Sequence, residues 1–278
     1  MAITSVNDIV YASAANSQRL LISKASITNQ LAGGYCSLWR ATGIPAQGAI
    51  PGAAATCNNT LLGSMGYTAP PSGNSSYIAR ASVADGAATG GQLFIVDRLA
   101  HMGGLSGINV TSQTVSVDVT GNTYNMVLRK GASDYSDVQW WVEIYTDIGT
   151  NAATATVTYT NAAGTGSRTT TLTVGGASPA NRASRMFPII PTNNNSEFIQ
   201  SVQSISLSAN TGVAGSFGIT ATHTLFDIGL YAAFIPTTLD WAGTKLAKVE
   251  DMACLNYIKL CGTTASNQMT GLFDLIQG

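Results

Sequence analysis

The segment from Ala155 to Val174 constrains the fold most strongly. Ala155, Val157 and Tyr159 alternate with Thr154, Thr156, Thr158 and Thr160. After a Gly-containing turn (161–167), Leu172 and Val174 alternate with Thr169, Thr171 and Thr173. Successive side chains of a strand point to opposite faces, so a period of two sends one set to a core and the other to water. The segment therefore predicts an antiparallel hairpin with one buried face and one face coated in Thr.

The same period recurs along the chain. Gln92 to Ala100 has a nearly continuous apolar centre, and Val115, Val117 and Val119 alternate with Ser116 and Asp118. Val138, Trp140, Val142 and Ile144 form one face of a strand, opposite Gln139, Trp141, Glu143 and Tyr145. That second face is also aromatic, which predicts that it is covered. Ile205 and Leu207 alternate with Ser, and Phe217, Ile219, Ala221, His223 and Leu225 alternate with Gly218, Thr220, Thr222 and Thr224. Cys254 to Leu260 and Leu272 to Gln277 read as strands around a polar turn (263–268), and the apolar end predicts a segment tied into a sheet or a partner. Many short strands separated by turns indicate a sandwich or jelly roll.

Two short helices are expected, one near each end. Residues 4–20 carry a Ser5 cap with Asp8 in the first turn, giving way to a strand start at Leu20-Leu21-Ile22. Thr244 to Met252 places Leu246, Val249 and Met252 at helical spacing. Between Ala32 and Gly90 the turn signals are dense (Gly33-Gly34, Pro45, Pro51-Gly52, Pro70-Pro71, Ser72-Gly73-Asn74), so long loops are expected there. The expectation is a mainly β chain in three stretches: a loop-rich region 1–104, an antiparallel β-sandwich or jelly-roll-like core 105–235, and a C-terminal helix and strands 236–278.

Composition bears on what the surface can do. Charged residues make up 10% of the 278, against a usual share of about 25%, and the net charge is −1. No basic field is available for phosphates, so nucleic acid is not an expected partner. No apolar run reaches the roughly 20 residues of a membrane span, and the N-terminus lacks a basic-then-apolar secretory pattern, so synthesis in a cytoplasm without membrane attachment is expected. A surface rich in Thr, Ser and Asn with few charges suits close approach of protein copies. Cys36, Cys57, Cys254 and Cys261 include no C-x-x-C pair, so zinc is not expected. Cys36 and Cys57 could bridge across a loop, although buried thiols suit cytoplasmic synthesis better.

Candidate chemistry is sparse. Of the two histidines, His101 ends the strand that carries Asp97 and Arg98, and a regular strand would put Asp97 and His101 on one face. A salt-bridged strand end is the simpler reading. His223 lies on an apolar strand face, where a core or interface histidine holding one hydrogen bond is expected. Gly33-Gly34-Tyr35-Cys36-Ser37 lacks the spacing of a cysteine-protease nucleophile, and no G-x-S-x-G elbow or phosphate loop occurs. Asp134, Asp137, Glu143 and Asp147 flank Trp140 and Trp141, the best hint of a carbohydrate site, with Trp141 as an aromatic platform. No catalytic, cofactor-binding or metal-ligating residue is assigned.

Several stretches form a set: Asp97 to Gly107 (DRLAHMGGLSG), Val142 to Asp147 (VEIYTD), Ala155 to Asn161 (ATVTYTN), Arg182 to Met186 (RASRM), Ser201 to Ser204 (SVQS) and the terminal Phe273 to Gly278 (FDLIQG). Together, over roughly residues 20–278, they resemble structural proteins of tailed bacteriophages and their prophages. The resemblance implies a non-enzymatic place in the virion, above all as a cement or decoration protein on the capsid surface. Its partners would be the major capsid protein, other virion proteins and copies of itself, with no cofactor. A tail, fibre or baseplate component, or a carbohydrate-binding virion module, are the alternatives it leaves open. It carries over no functional residue.

Overall fold

A computed structural model describes residues 3–25, 30–86, 91–192, 197–264 and 268–278. Helix α1 (Val6–Ala15) is followed by β1 (Ser17–Lys24), β2 (Tyr35–Ser37), β3 (Gly43–Ile44), β4 (Ala55–Thr56), β5 (Ser76–Asp85), β6 (Gly91–Leu105) and β7 (Gln113–Asp118). A single helical turn, α2 (Met126–Arg129), precedes β8 (Val138–Thr146), β9 (Ala153–Asn161), β10 (Arg168–Val174), β11 (Arg185–Pro188) and β12 (Ile199–Leu207). The chain ends with β13 (Ser216–Gly229), β14 (Thr237–Leu239), β15 (Ala247–Val249), β16 (Leu255–Cys261) and β17 (Met269–Gln277). The fold is mainly β and its sheets are antiparallel, as the alternation predicts.

The strands form three layers. In the middle, the order β13–β8–β11–β2–β16–β6 closes on itself because β6 also pairs with β13, giving a small barrel with β4 attached to β6. On one side lies the four-stranded sheet β10–β9–β12–β7. On the other lies β14–β5–β17–β1–β3, with β15 also on β5. Each outer sheet buries one face against the barrel wall. Val157, Tyr159, Val117 and Ile205 meet Trp140, Val142, Phe217 and Ile219 in one core. Ile78, Val83, Phe273 and Leu275 meet Leu93, Ile95, Phe226 and Tyr257 in the other. Full burial of such side chains contributes about 1.5–3 kcal/mol each before entropy is charged against it.

The alternation holds where it is clearest. In β9 Ala155, Val157 and Tyr159 are buried, and β10 registers Thr171 on Thr156 and Thr169 on Thr158. Strand β8 is covered on both faces, the expected consequence of its second aromatic row: Trp141, Glu143 and Tyr145 are buried inside the barrel. Strand β17 runs between β5 and β1, so the apolar end is tied into a sheet.

Three expectations are corrected. The first helix stops at Ala15 although its Ser5–Asp8 capping box is present; the chain then enters β1, pairing with β17 from Ser17 onward. Residues 32–90 are not only loops, because Ser76–Asp85 forms a ten-residue strand. Thr244 to Met252 is not a helix. Lys245 and Leu246 adopt left-handed φ values of 55° and 45°, Thr244 Oγ1 donates to the Ile78 carbonyl, and β15 pairs with β5 instead. Sheet pairing overrode a helical spacing of only three apolar residues. The polar turn expected over 263–268 lies partly outside the described residues.

Candidate functional site

The densest polar constellation lies inside the barrel and at its end. Arg98 on β6 points inward with 2% of its side chain exposed. Its Nη2 donates to Glu143 Oε2 (2.7 Å), Tyr145 Oη (2.8 Å) and Thr220 Oγ1 (3.0 Å), and Thr220 donates in turn to Glu143 Oε2 (2.6 Å). Arg98 Nε donates to His101 Nδ1 (2.9 Å), and the guanidinium lies 4.7 Å from the Trp39 ring centre. Burial works against the Arg98 charge, but Glu143 beside it more than compensates and raises its pKa. Burial and then Arg98 hold His101 neutral, its pKa pushed down to about 2. Burial, with Glu143 next, raises Tyr145, which stays a neutral phenol.

One residue back along β6, the neighbouring carboxylate serves a second arginine. Asp97 accepts from Arg129 Nε (2.7 Å) and Nη2 (2.6 Å) and from the Cys254 backbone (2.8 Å). Arg129 also donates to the Cys57 carbonyl. Asp97 and His101 therefore do not share a face. A bulge at Leu99, where β13 pairs Thr222 with Arg98 but Ala221 with Ala100, shifts the alternation by one. Arg98 and His101 meet inside, while Asp97 turns outward to Arg129.

The two histidines line different cavities, and only His223 shares one with carboxylates. His101 borders an apolar cavity of about 340 Å³ with Trp39, Leu61 and Leu62. His223 borders a polar cavity of about 250 Å³ with Asp97, Arg129, Lys248 and Glu250, and its Nδ1 meets the Arg129 carbonyl at 2.7 Å. This is the single hydrogen bond expected of it. The carbohydrate platform is overturned: Trp141 is 7% exposed and its Nε1 donates to Thr222 Oγ1. Glu143 is fully buried, Asp137 accepts from the Ala132 backbone and Asp147 pairs with Arg182. Paired, desolvated charges of this kind hold a structure in one arrangement, and each partner is costly to remove alone. Sequence reading missed this network, although a single Arg or Glu within an apolar strand (Leu93-Phe94-Ile95-Val96-Asp97-Arg98, Trp140-Trp141-Val142-Glu143) is its signal.

All four cysteines are buried free thiols. Their neighbours are not those suggested by sequence order: Cys36 lies against Cys261, and Cys57 against Cys254. No His, Cys, Asp and Glu group able to hold a metal ion occurs among the described residues. No helix among them is long and apolar enough to cross a membrane.

The outer surface is poor in charge for a structural reason. The chain has 13 basic and 14 acidic side chains. Ten are buried: Lys24, Asp85, Asp97, Arg98, Arg129, Lys130, Glu143, Arg185, Glu197 and Lys259. The outer face of the β10–β9–β12–β7 sheet is a hydroxyl array, with Thr169, Thr158, Ser204 and Thr114 in one cross-strand row and Thr171, Thr156 and Ser206 in the next. Elsewhere Tyr231 (78%), Phe234 (76%) and Ile235 (64%) stand exposed together after β13.

No family model matches the chain, and no curated protein matches it. Among solved structures, that of infectious bursal disease virus strain Gx is 9% identical with a TM-score of 0.22, covering 95% of this chain and 82% of that one. The VP2 subviral particle of the same virus is 12% identical with a TM-score of 0.20, covering 93% and 81%. Scores this low lie well below the level at which two chains share a topology.

Proposed function

We propose that this chain is a non-catalytic structural protein of a virus particle, and specifically a cement or decoration protein on the capsid of a tailed bacteriophage. In this reading the stretches 1–104, 105–235 and 236–278, each of which supplies strands to the barrel, form one brick that binds the major capsid protein and its own copies. The observation that carries the reading is the division of charge. Ten ionic side chains are spent inside, leaving an outer sheet of Thr and Ser and an apolar segment around Phe234 in the open. Little repulsion opposes close approach of such surfaces, and exposed apolar residues gain on the order of 25 cal/mol per Å² when covered, before association costs. Weak contacts repeated over a symmetric shell add up to avidity. The resemblance of its sequence stretches to phage structural proteins points the same way.

The test is sedimentation of the purified chain alone and with empty phage heads. Self-association or co-sedimentation with heads is expected, reduced by Phe234→Ser with Ile235→Ser. A stable monomer that leaves heads bare overturns the proposal. Decoration of tails alone replaces the cement role by a tail component.

A further inference from the structure

The molecule contains two dithiols, and only one of them faces a cation that lacks a carboxylate. Arg185 on β11 is 2% exposed. No carboxylate pairs with it among the described residues, its Nε has no hydrogen-bond partner, and its Nη1 donates to Cys36 Sγ at 3.2 Å. A guanidinium stays charged in proteins, and a buried charge without a counter-ion is strongly disfavoured. The group placed to supply the negative charge is the Cys36 thiol. The guanidinium packs on Gly34, where any Cβ would overlap it.

The register brings the second thiol to the same spot. Strand β2 pairs Cys36 with Lys259 of β16, and the Cys261 backbone donates to the Gly34 carbonyl. Residues two apart on one strand share a face, so Cys36 and Cys261 are diagonal neighbours beneath Arg185. The other charge on that row, Lys259, is taken by Asp85. A hydrogen bond from Cys261, and then Arg185, lower the Cys36 pKa from 9.0 to about 7, while the bond to Cys36 and burial raise Cys261. Cys57 and Cys254 sit in the opposite situation: burial and then Cys254 raise Cys57, while Arg129 is already bound to Asp97.

We propose that Cys36 and Cys261 are a reversible redox dithiol in which Cys36 is the resident thiolate. The oxidant is a small-molecule disulfide of the glutathione class. The Cys36 thiolate attacks one sulfur of that disulfide, forming a mixed disulfide and expelling one thiolate. Cys261 loses its proton to solvent and attacks Cys36, forming the Cys36–Cys261 bond and expelling the second thiolate. The protein, with Cys36 already deprotonated, loses two electrons and the single thiol proton of Cys261, and the oxidant leaves as two thiolates that take up protons from solvent. Access comes by local opening around β2, since β2 and β11 have three and four residues and pair with each other at only two positions. Oxidation removes the counter-ion of Arg185, so the reduced form is favoured and the bond opens readily with excess thiol, as holds for dithiols whose thiolate is stabilised.

The experiment is incubation of the native chain with oxidised glutathione at pH 8, followed by peptide mapping. A Cys36–Cys261 link that dithiothreitol reverses is expected, with Cys57 and Cys254 left as thiols. Cys261→Ser should accumulate the mixed disulfide on Cys36, and Cys36→Ser should yield no adduct on Cys261. Arg185→Gln should slow adduct formation several-fold at pH 7 yet shift the equilibrium towards the disulfide, a pair of opposite effects that a purely structural arginine would not produce. If Cys261→Ser, folded by circular dichroism, gains no glutathione on Cys36, or if all four cysteines react alike, the proposal is overturned. Neither result bears on head binding.

Discussion

The two outer sheets bury comparable apolar faces against the same barrel, yet they are assembled differently. The β10–β9–β12–β7 sheet contains a hairpin whose strands are joined by the short turn at 162–167, and it comes from one stretch of chain. The opposite sheet joins the chain's ends, with Ser17 registered on Ile276 and Tyr77 on the same Ile276 from the other side. One sheet is seeded by a local hairpin and drawn from residues 113–207; the other depends on the last strand arriving between two early ones. Long-range pairing incurs its loop-closure entropy before contacts repay it, so the second sheet should form late and fail first.

Removing residues 269–278 should therefore have the largest effect. It deletes β17, separates β5 from β1 and strips Phe273 and Leu275 from their core. Loss of the near-ultraviolet signal and of a cooperative melt is expected. A truncated chain that melts like the intact one would abolish the distinction between the sheets.

Next come the charges that the barrel encloses between them. Arg98→Met leaves Glu143 buried with only Thr220 to bond, and should cost about 3–5 kcal/mol in denaturant unfolding. Changing Arg98 and Glu143 together to Met and Leu should recover much of that loss, since it removes both desolvated charges. Arg168, whose side chain is 40% exposed, pairs with the buried Glu197, which also accepts from Asn161, so Arg168→Ala should move the unfolding curve less.

The same contrast explains what could be read from the sequence. The hairpin sheet was legible because Val157 and Tyr159 are large and their neighbours are Thr, so the period of two is unmistakable. Strand β5 was hidden because its buried positions include Ser76, Ala79 and Ala81, which look like loop residues, and because its partners lie far along the chain. The turn density from Gly33 to Asn74 was real, but it ends where β5 begins. The pair Asp97 and His101 misled because one extra residue at Leu99 reverses the faces, and a bulge leaves no mark in composition. Trp141 and Glu143 were correctly placed on one face together; only closure of the barrel decides that this face looks inward. The pairing of Cys36 with Cys261 depends on that closure too, since 225 residues separate them in the chain.

Acid should act mainly on the barrel between the two sheets. His101 is neutral when folded, with a pKa near 2 against 6.5 unfolded, so its contribution is complete above about pH 6.5 and declines as pH falls below that value. Cys36 has a lowered pKa, so its contribution is complete above its unfolded value of 9.0 and is lost as pH falls through about 7. Melting temperature should rise between pH 7 and 9 in the native chain, where burial of Lys24, its pKa pushed down to about 8, adds a rise of the same sign, and Cys36→Ser should reduce that rise while sparing the acid limb. An unchanged rise in Cys36→Ser would show that the thiol is not the counter-ion of Arg185.

The smallest stability effect should fall on the hydroxyl face, and there the comparison becomes one between folding and assembly. Thr156 and Thr171 are cross-strand partners pointing away from Val157 and Tyr159, so they contribute little to the core. Substituting both by Lys places like charges opposite one another, a cost of tenths of a kcal/mol in a hairpin already held by its inner face. Unfolding should shift by no more than about 1 kcal/mol. Association is more sensitive, because a charge that meets a partner must shed its water or find a counter-charge, and a repeated surface meets that demand at every copy. If the hydroxyl sheet is the side that docks, the double Lys variant should fold normally and lose head binding or self-association. Should binding survive, the docking side must be the other one, where Tyr231, Phe234 and Ile235 stand exposed beside the sheet built from the chain's ends.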